Sequence, residues 1–173
     1  FFESMSLNSL NAISPIDGRY RGKVADLAPF YSEFGLIRYR VQVEIEYFIA
    51  LSKMPIAQFE SYPHGNEDKL RAVYLNFTEE DANWIKLKEA ITNHDVKAVE
   101  YFVKEQLTEL GLSDYVEFVH FGLTSQDINN TSVPLSLRDG LKASYFPKIE
   151  KLIEVLDGYA SDWFGWMWKR APS

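Results

Sequence analysis

The sequence predicts an all-α fold. Three observations carry that prediction. Apolar residues recur in steps of three and four through most of the chain, the spacing of one helix face. Residues suited to capping helix starts, and Gly or Pro suited to ending them, fall between these stretches. No convincing β-hairpin, internal repeat or low-complexity tract interrupts the pattern.

The elements follow in chain order. The first twenty-odd residues read as loop, because Ser14-Pro15-Ile16-Asp17-Gly18-Arg19-Tyr20 sets Pro, Asp and Gly in turn order, with a short amphipathic piece before Pro29. Ser32 is placed to cap a helix, with Glu33 in the first turn where the helix dipole favours an acid. Phe34, Ile37, Val41, Ile45, Phe48 and Leu51 then mark one face of a helix running to about Met54 and stopped by Pro55. The alternation in Val41-Gln42-Val43-Glu44-Ile45 permits a strand, but no turn signal breaks more than twenty residues, which favours helix. Residues 55–66 read as loop. Leu70, Val73, Tyr74 and Phe77 give a short helix. Thr78 with Asp81 resembles a capping box and opens a helix over roughly 79–91. Thr92, with Asp95 three residues on, is expected to cap the next. There Val96, Val99, Val103, Leu107 and Leu110 form a stripe ended by Gly111. Ser113 to Phe121 reads as a short apolar helix ended by Gly122. Thr124 or Ser125 caps a last helical stretch from Ile128 to about Trp163, with kinks or breaks expected at Pro134 and Pro147.

Length and composition narrow the function. The chain has 173 residues, 46% of them hydrophobic, and this is enough to bury a core. A formal charge of −7 argues against a dedicated nucleic-acid binder, though a local pocket can still hold a small anion. Without cysteine there are no disulfides, zinc ribbons, iron–sulfur clusters or thiol catalysis, and a reducing cytoplasm is the expected compartment. No run of about 18 apolar residues is present to span a membrane. Phe1-Phe2-Glu3-Ser4-Met5 lacks the features of a signal peptide, and Met5 is a candidate start. The sequons at Asn76, Asn129 and Asn130 therefore read as chance matches. His64, His94 and His120 have no metal-ligand spacing, so no metal site is expected, and His120 reads as a hydrogen-bonded core residue in an apolar helix. Neither a phosphate-binding glycine loop nor a G-x-S-x-G elbow is present.

Three polar clusters sit at loops or helix starts, where backbone N–H groups are unsatisfied and anions are favoured. In Asp17-Gly18-Arg19-Tyr20, Arg19 offers a fork of donors suited to phosphate or carboxylate, and Tyr20 a hydroxyl and a ring face. From residue types alone the commoner reading is a surface turn with a solvated Arg. In Thr92-Asn93-His94-Asp95-Val96-Lys97, an imidazole at a helix start can accept, donate or shuttle a proton. Ordinary capping with a spectator His stays open. In Gly122-Leu123-Thr124-Ser125-Gln126-Asp127, two hydroxyls beside backbone amides suit a small carboxylate or phosphate, and an ordinary cap is again the plainer alternative.

Taken in order, these clusters resemble the adenylosuccinate lyases of the fumarase/aspartase superfamily. The resemblance rests on Ala12 to Tyr20, Ser32 to Ile37, Arg40 to Glu44, Thr92 to Phe102 and Phe118 to Asn130, and runs from about residue 7 to 163. It implies an all-α protein with an N-terminal helical domain (residues 1–122 here) and the first part of a central bundle of long helices (123–163). It implies β-elimination of fumarate from succinyl-AMP and from a succinylated carboxamide ribonucleotide in AMP and IMP biosynthesis, without metal or organic cofactor. In the family four subunits assemble and each active site draws on three. Carried over residue by residue, Arg19 and Tyr20 bind the nucleotide. Asn93, His94 and Asp95 contact it and orient the reacting end, with His94 a proton-transfer partner. Thr124 and Ser125 hold a carboxylate of the fumarate half.

The family's main catalytic His and its mobile loop with the catalytic Ser belong beyond residue 163. Residues 164–173, with Trp166 and Trp168 close after Trp163, do not resemble the family. The expectation is therefore a fragment that is inactive alone and self-associates through apolar surface around Ile128 to Leu156. Another fumarate-releasing lyase of the superfamily, such as one acting on argininosuccinate, and a non-catalytic helical assembly module are the competing readings.

Overall fold

The computed structural model describes residues 7–14 and 17–169, with side chains as far as Phe164. Every element among the described residues is helical, in agreement with the predicted class. The fold is organised by α3, Glu33–Ser52. Ser32 caps it as expected, its hydroxyl oxygen accepting from the Gly35 N–H at 3.2 Å. The predicted stripe of Phe34, Ile37, Val41, Ile45, Phe48 and Leu51 is buried in full. Three elements close over it: α4 (Glu67–Leu75), α5 (Glu79–Thr92) and α6 (Asp95–Glu109). They bring Leu70, Tyr74, Ala82, Ile85, Val99, Val103 and Leu107 into one apolar cluster with α3. A 3-10 turn at Ala57–Phe59 tucks Phe59 against Phe48, Tyr62 and Phe118.

Polar ties set the order around this core. Arg71 of α4 donates to both oxygens of Glu46 on α3, at 2.8 and 3.1 Å, and Tyr74 donates to the same carboxylate at 2.7 Å. Lys86 of α5 reaches Glu33 at 3.1 Å. The Thr78–Asp81 capping box forms as the sequence predicts.

The structure departs from the expected boundaries in several places. Asp17–Val24 is a helix, α1, rather than loop: the buried Asp17 carboxylate accepts from the Ile13 and Ser14 N–H groups and pairs with Arg21 one turn on. Gly18 therefore sits in a helix, not a tight turn; Pro15 and Ile16 lie outside the described residues. A 3-10 turn (Ala25–Leu27) and the single turn α2 (Ala28–Tyr31) follow. Thr92 ends α5 instead of capping α6. Ser113–Phe118 is a 3-10 segment, and His120 stands beyond it with φ +62° rather than inside a helix.

Of the two prolines expected to kink or break the last stretch, Pro134 leaves the helix regular and Pro147 lies directly after an irregularity. Helix α7 (Ser125–Gly140) runs through Pro134. The irregularity is a π turn at Leu141–Tyr145 that passes directly into α8 (Phe146–Lys169), where Pro147 has no N–H to give back to that turn. Helix α7 lies antiparallel to α3: Tyr47 donates to the Phe121 carbonyl near its start, and Tyr39 to Asp139 near its end. Its buried positions are Ile128, Ser132, Ser136 and Gly140, continued by Ser144. Four of these five residues are small, and at Gly140 the close neighbour is the Tyr31 side chain of α2. A Cβ on Gly140 would stand 2.4 Å from the Tyr31 hydroxyl.

Helix α8 behaves differently. It carries an apolar stripe of Ile149, Leu152, Ile153, Leu156 and Tyr159, and every one of these is exposed. Lys148 ties its base back, to Asp26.

Candidate active site

Helix α6 starts in an unusual way. Asn93 adopts the left-handed conformation, φ 53°, which Asn tolerates better than most residues, and so ends α5 and reverses the chain. His94 follows in an extended conformation and is itself the N-cap: its Nδ1 accepts the Lys97 N–H at 3.1 Å. Because Nδ1 is spent as an acceptor, the tautomer this bond requires carries its hydrogen on Nε2. Asp95 supports the same turn. Its Oδ1 accepts the Val96 N–H at 2.8 Å and its Oδ2 pairs with the Arg40 guanidinium at 2.7 Å. Burial pushes the Asp95 carboxyl up, but the Val96 N–H and Arg40 outweigh it and hold the group below the ordinary range.

The start of α7 is locked by Thr124 and Asp127. The Thr124 N–H and hydroxyl both donate to Asp127 Oδ2, each at 2.8 Å. These two hydrogen bonds keep the Asp127 carboxyl below its ordinary range. This alters the expected anion cradle, because the Thr124 hydroxyl hydrogen is already committed within the cap. Ser125 is left as the hydroxyl of the pair with its hydrogen uncommitted to the cap, and it faces the imidazole: Ser125 Oγ lies 3.4 Å from His94 Nε2.

The second and third clusters thus meet, although 31 residues separate His94 from Ser125. A depression of about 550 Å3 lies beside them, lined by Lys86, Glu89, Ala90, Asn93, His94 and Asp95. Its cations are paired within the chain. Lys86 binds Glu33 and Glu89, Lys97 just behind binds both oxygens of Glu100, and Arg40 binds Asp95. Among the described residues, no group of three or more His, Asp or Glu side chains is placed to hold a metal ion.

The first cluster stands apart. Arg19 and Tyr20 are exposed on α1, with the guanidinium over the ring at 5.5 Å, and among the described residues no hydrogen bond or ion pair joins them to either other cluster. The network that does hold α1 uses Arg21, which donates to Asp17 and to the Asn11 carbonyl.

Two residues not singled out for chemistry from sequence tie the site together. Arg40 Nε donates to Asn129 Oδ1 at 2.9 Å while its other arm holds Asp95. The signal was present. Arg40 and Glu44 fall three residues after Ile37 and Val41, on the face of α3 that the stripe assigns to the interior, and charged residues there need a buried partner. Glu44 finds His120, whose Nδ1 lies 2.5 Å from Glu44 Oε1. The hydrogen-bonded role predicted for His120 thus stands, outside a helix. Burial holds the Glu44 carboxyl above its ordinary range despite that partner.

Comparison with known proteins is consistent with this geometry. The chain is 52% identical over 165 residues to an adenylosuccinate lyase of Dictyostelium discoideum, covering 92% of the chain and 35% of the relative. It is 43% identical over 158 residues to that of Escherichia coli (strain K12), and 42% over 161 residues to that of Vibrio cholerae. These alignments cover 90% and 92% of the chain and 35% of each relative. The chain thus spans about a third of the length of the curated relatives it matches. Residues 18–163 match the profile of a family described simply as lyase, so the chain belongs to the lyase family.

Proposed function

We propose that the chain is the N-terminal part of an adenylosuccinate lyase and carries part of a site for β-elimination of fumarate from succinyl-AMP and the related succinylated carboxamide ribonucleotide. The convergence of His94 and Ser125 from two helices supports this reading most directly. The reaction removes a proton beside a carboxylate and protonates the departing nitrogen. With Nδ1 occupied by the Lys97 N–H, His94 meets a substrate through a hydrogen-bearing Nε2. As a neutral imidazole it donates a hydrogen bond that orients the nitrogen side, and it passes a proton there only when the Lys97 N–H gives up Nδ1; it is not placed to take the carbon-bound proton. Ser125, with the free N–H groups at the start of α7, suits a carboxylate of the fumarate half.

Arg19 and Tyr20 serve the nucleotide part in this reading, with Asn93 and Asp95 beside the reacting end. The paired state of Lys86, Lys97 and Arg40 means that much of the cationic charge for a phosphate and two carboxylates comes from outside this segment. Residues 1–122 then form the N-terminal helical domain and 123–163 the first part of the central bundle of a cytoplasmic homotetramer. No metal or organic cofactor enters the chemistry.

The test is a chimera in which residues 18–163 replace the matching segment of the Escherichia coli enzyme, assayed for fumarate release from succinyl-AMP. Turnover is expected, with a loss of about 10²–10⁴-fold for His94→Ala, the usual range for a proton-transfer group. An assembled chimera without turnover overturns the proposal, and turnover by the isolated chain overturns the partial-site reading. The exposed stripe of α8 favours one alternative, a non-catalytic helical module that assembles with a complete lyase. Co-elution without any change in activity would mark it.

A further inference from the structure

We propose that Arg40 is a positioning residue that holds the two halves of the candidate site in register, so that His94 and Ser125 face one another. The inference deepens the lyase reading above and rests on it for its catalytic meaning.

The geometry is that of a two-armed clamp. Arg40 is 7% exposed and rises from the middle of α3, the best-packed helix of the fold. One arm holds Asp95 Oδ2 at 2.7 Å, and Asp95 is the neighbour of His94. The other holds Asn129 Oδ1 at 2.9 Å, and Asn129 lies one helical turn beyond Ser125 on the same face of α7. Asp95 also accepts the Val96 N–H, so its position fixes the first turn of α6 on which the His94 cap depends. Along the chain the two starts are separated by the whole of α6 and the segment 110–124. The planar fork of Arg spans two acceptors on two helices; the point charge of Lys cannot hold both. With its guanidinium engaged at both arms and shielded from solvent, Arg40 acts on a ligand only through the residues it holds.

The test uses the 173-residue chain and reads structure directly. In the wild type, NMR is expected to show a cross-peak between the His94 ring and the Ser125 β-protons. Arg40→Met is expected to lose it and to shift the Val96, Lys97, Ser125 and Gln126 amides together, with the Ile45 and Val99 methyl resonances unmoved. Arg40→Lys is expected to restore one end only. If Arg40→Met retains the cross-peak, the clamp is overturned. Should that variant fail to fold, Asn129→Ala decides: it removes one acceptor from the half-buried start of α7, and persistence of the cross-peak in it overturns the proposal equally. Turnover enters nowhere in this readout. A collapsed pair in these variants, alongside an inactive chimera, would support the clamp while overturning the lyase reading.

Discussion

Helices α3 and α8 carry the same kind of sequence signal and meet opposite fates. Both show apolar residues every three or four positions. On α3 the stripe is closed over by α4, α5 and α6, and Phe48, Val41 and Ile45 are inaccessible. On α8 the stripe faces solvent, with Leu152 and Leu156 more than half exposed. Periodicity states that a face requires a partner; it does not state whether that partner lies in the same segment of chain. The difference is what a chain spanning a third of its relatives' length would show if α8 packs against something supplied from elsewhere.

Substitutions can break or sharpen this contrast. The largest effect is expected at Phe48→Ala, which removes a fully buried ring from the α3 core and should cost about 3–5 kcal/mol in denaturant unfolding. A loss under about 1 kcal/mol would mean that the core is looser than it looks. Next, Gly35→Ala places a methyl 2.8 Å from the Phe30 backbone, which cannot swing aside as a side chain does. Overpacking of this kind costs about 1–3 kcal/mol. Removing the α3 cap with Ser32→Ala should cost about 1 kcal/mol. Leu156→Ala on α8 should fall within about 0.5 kcal/mol, because the side chain is already more than half exposed. The same stripe is expected to drive concentration-dependent self-association, reversed by Leu152→Glu with Leu156→Glu. Light scattering that shows a monomer for the unaltered chain at every concentration would sink that expectation.

Acid should act on the packed region. The carboxyls of Asp26, Glu46, Asp95 and Glu100 are held below their ordinary values by Lys148, Arg71, the Val96 N–H with Arg40, and Lys97 with Lys104. Their contribution is complete above the unfolded carboxylate range and is lost as pH falls through the lowered folded values. Glu44 runs the other way: its raised value makes the ionised form costly, and acid relieves that cost. Asp17, Glu67 and Asp127 are lowered as well, so the balance predicts a net loss of stability in acid. Thermal melts that stay flat below pH 4 would contradict it.

Much of the fold was legible because its causes are local. The caps at Ser32 and Thr78, the stripes of α3 and α6 and the stop at Gly111 each depend on residues within a turn or two. The site was legible only as separate clusters. That His94, not Thr92, caps α6 depends on Asn93 entering the left-handed region. That Arg40 joins Asp95 to Asn129 depends on partners 55 and 89 residues away. Charged residues on an apolar face mark such a link, but nothing in their spacing names the partner. Which proline would disturb the last helix was equally hidden, since either was a sufficient cause of a kink.

The bare helix α8 also changes how the molecule should move through water. Its 24 residues, at 1.5 Å each, make a rod about 36 Å long that stands off the packed region and is tethered near its base. A body with such an arm diffuses more slowly than a sphere of equal mass. On a sizing column a single chain would elute ahead of globular standards of 20.0 kDa and imitate a small oligomer. Mass measured by scattering, rather than elution volume, therefore separates an extended monomer from a true assembly.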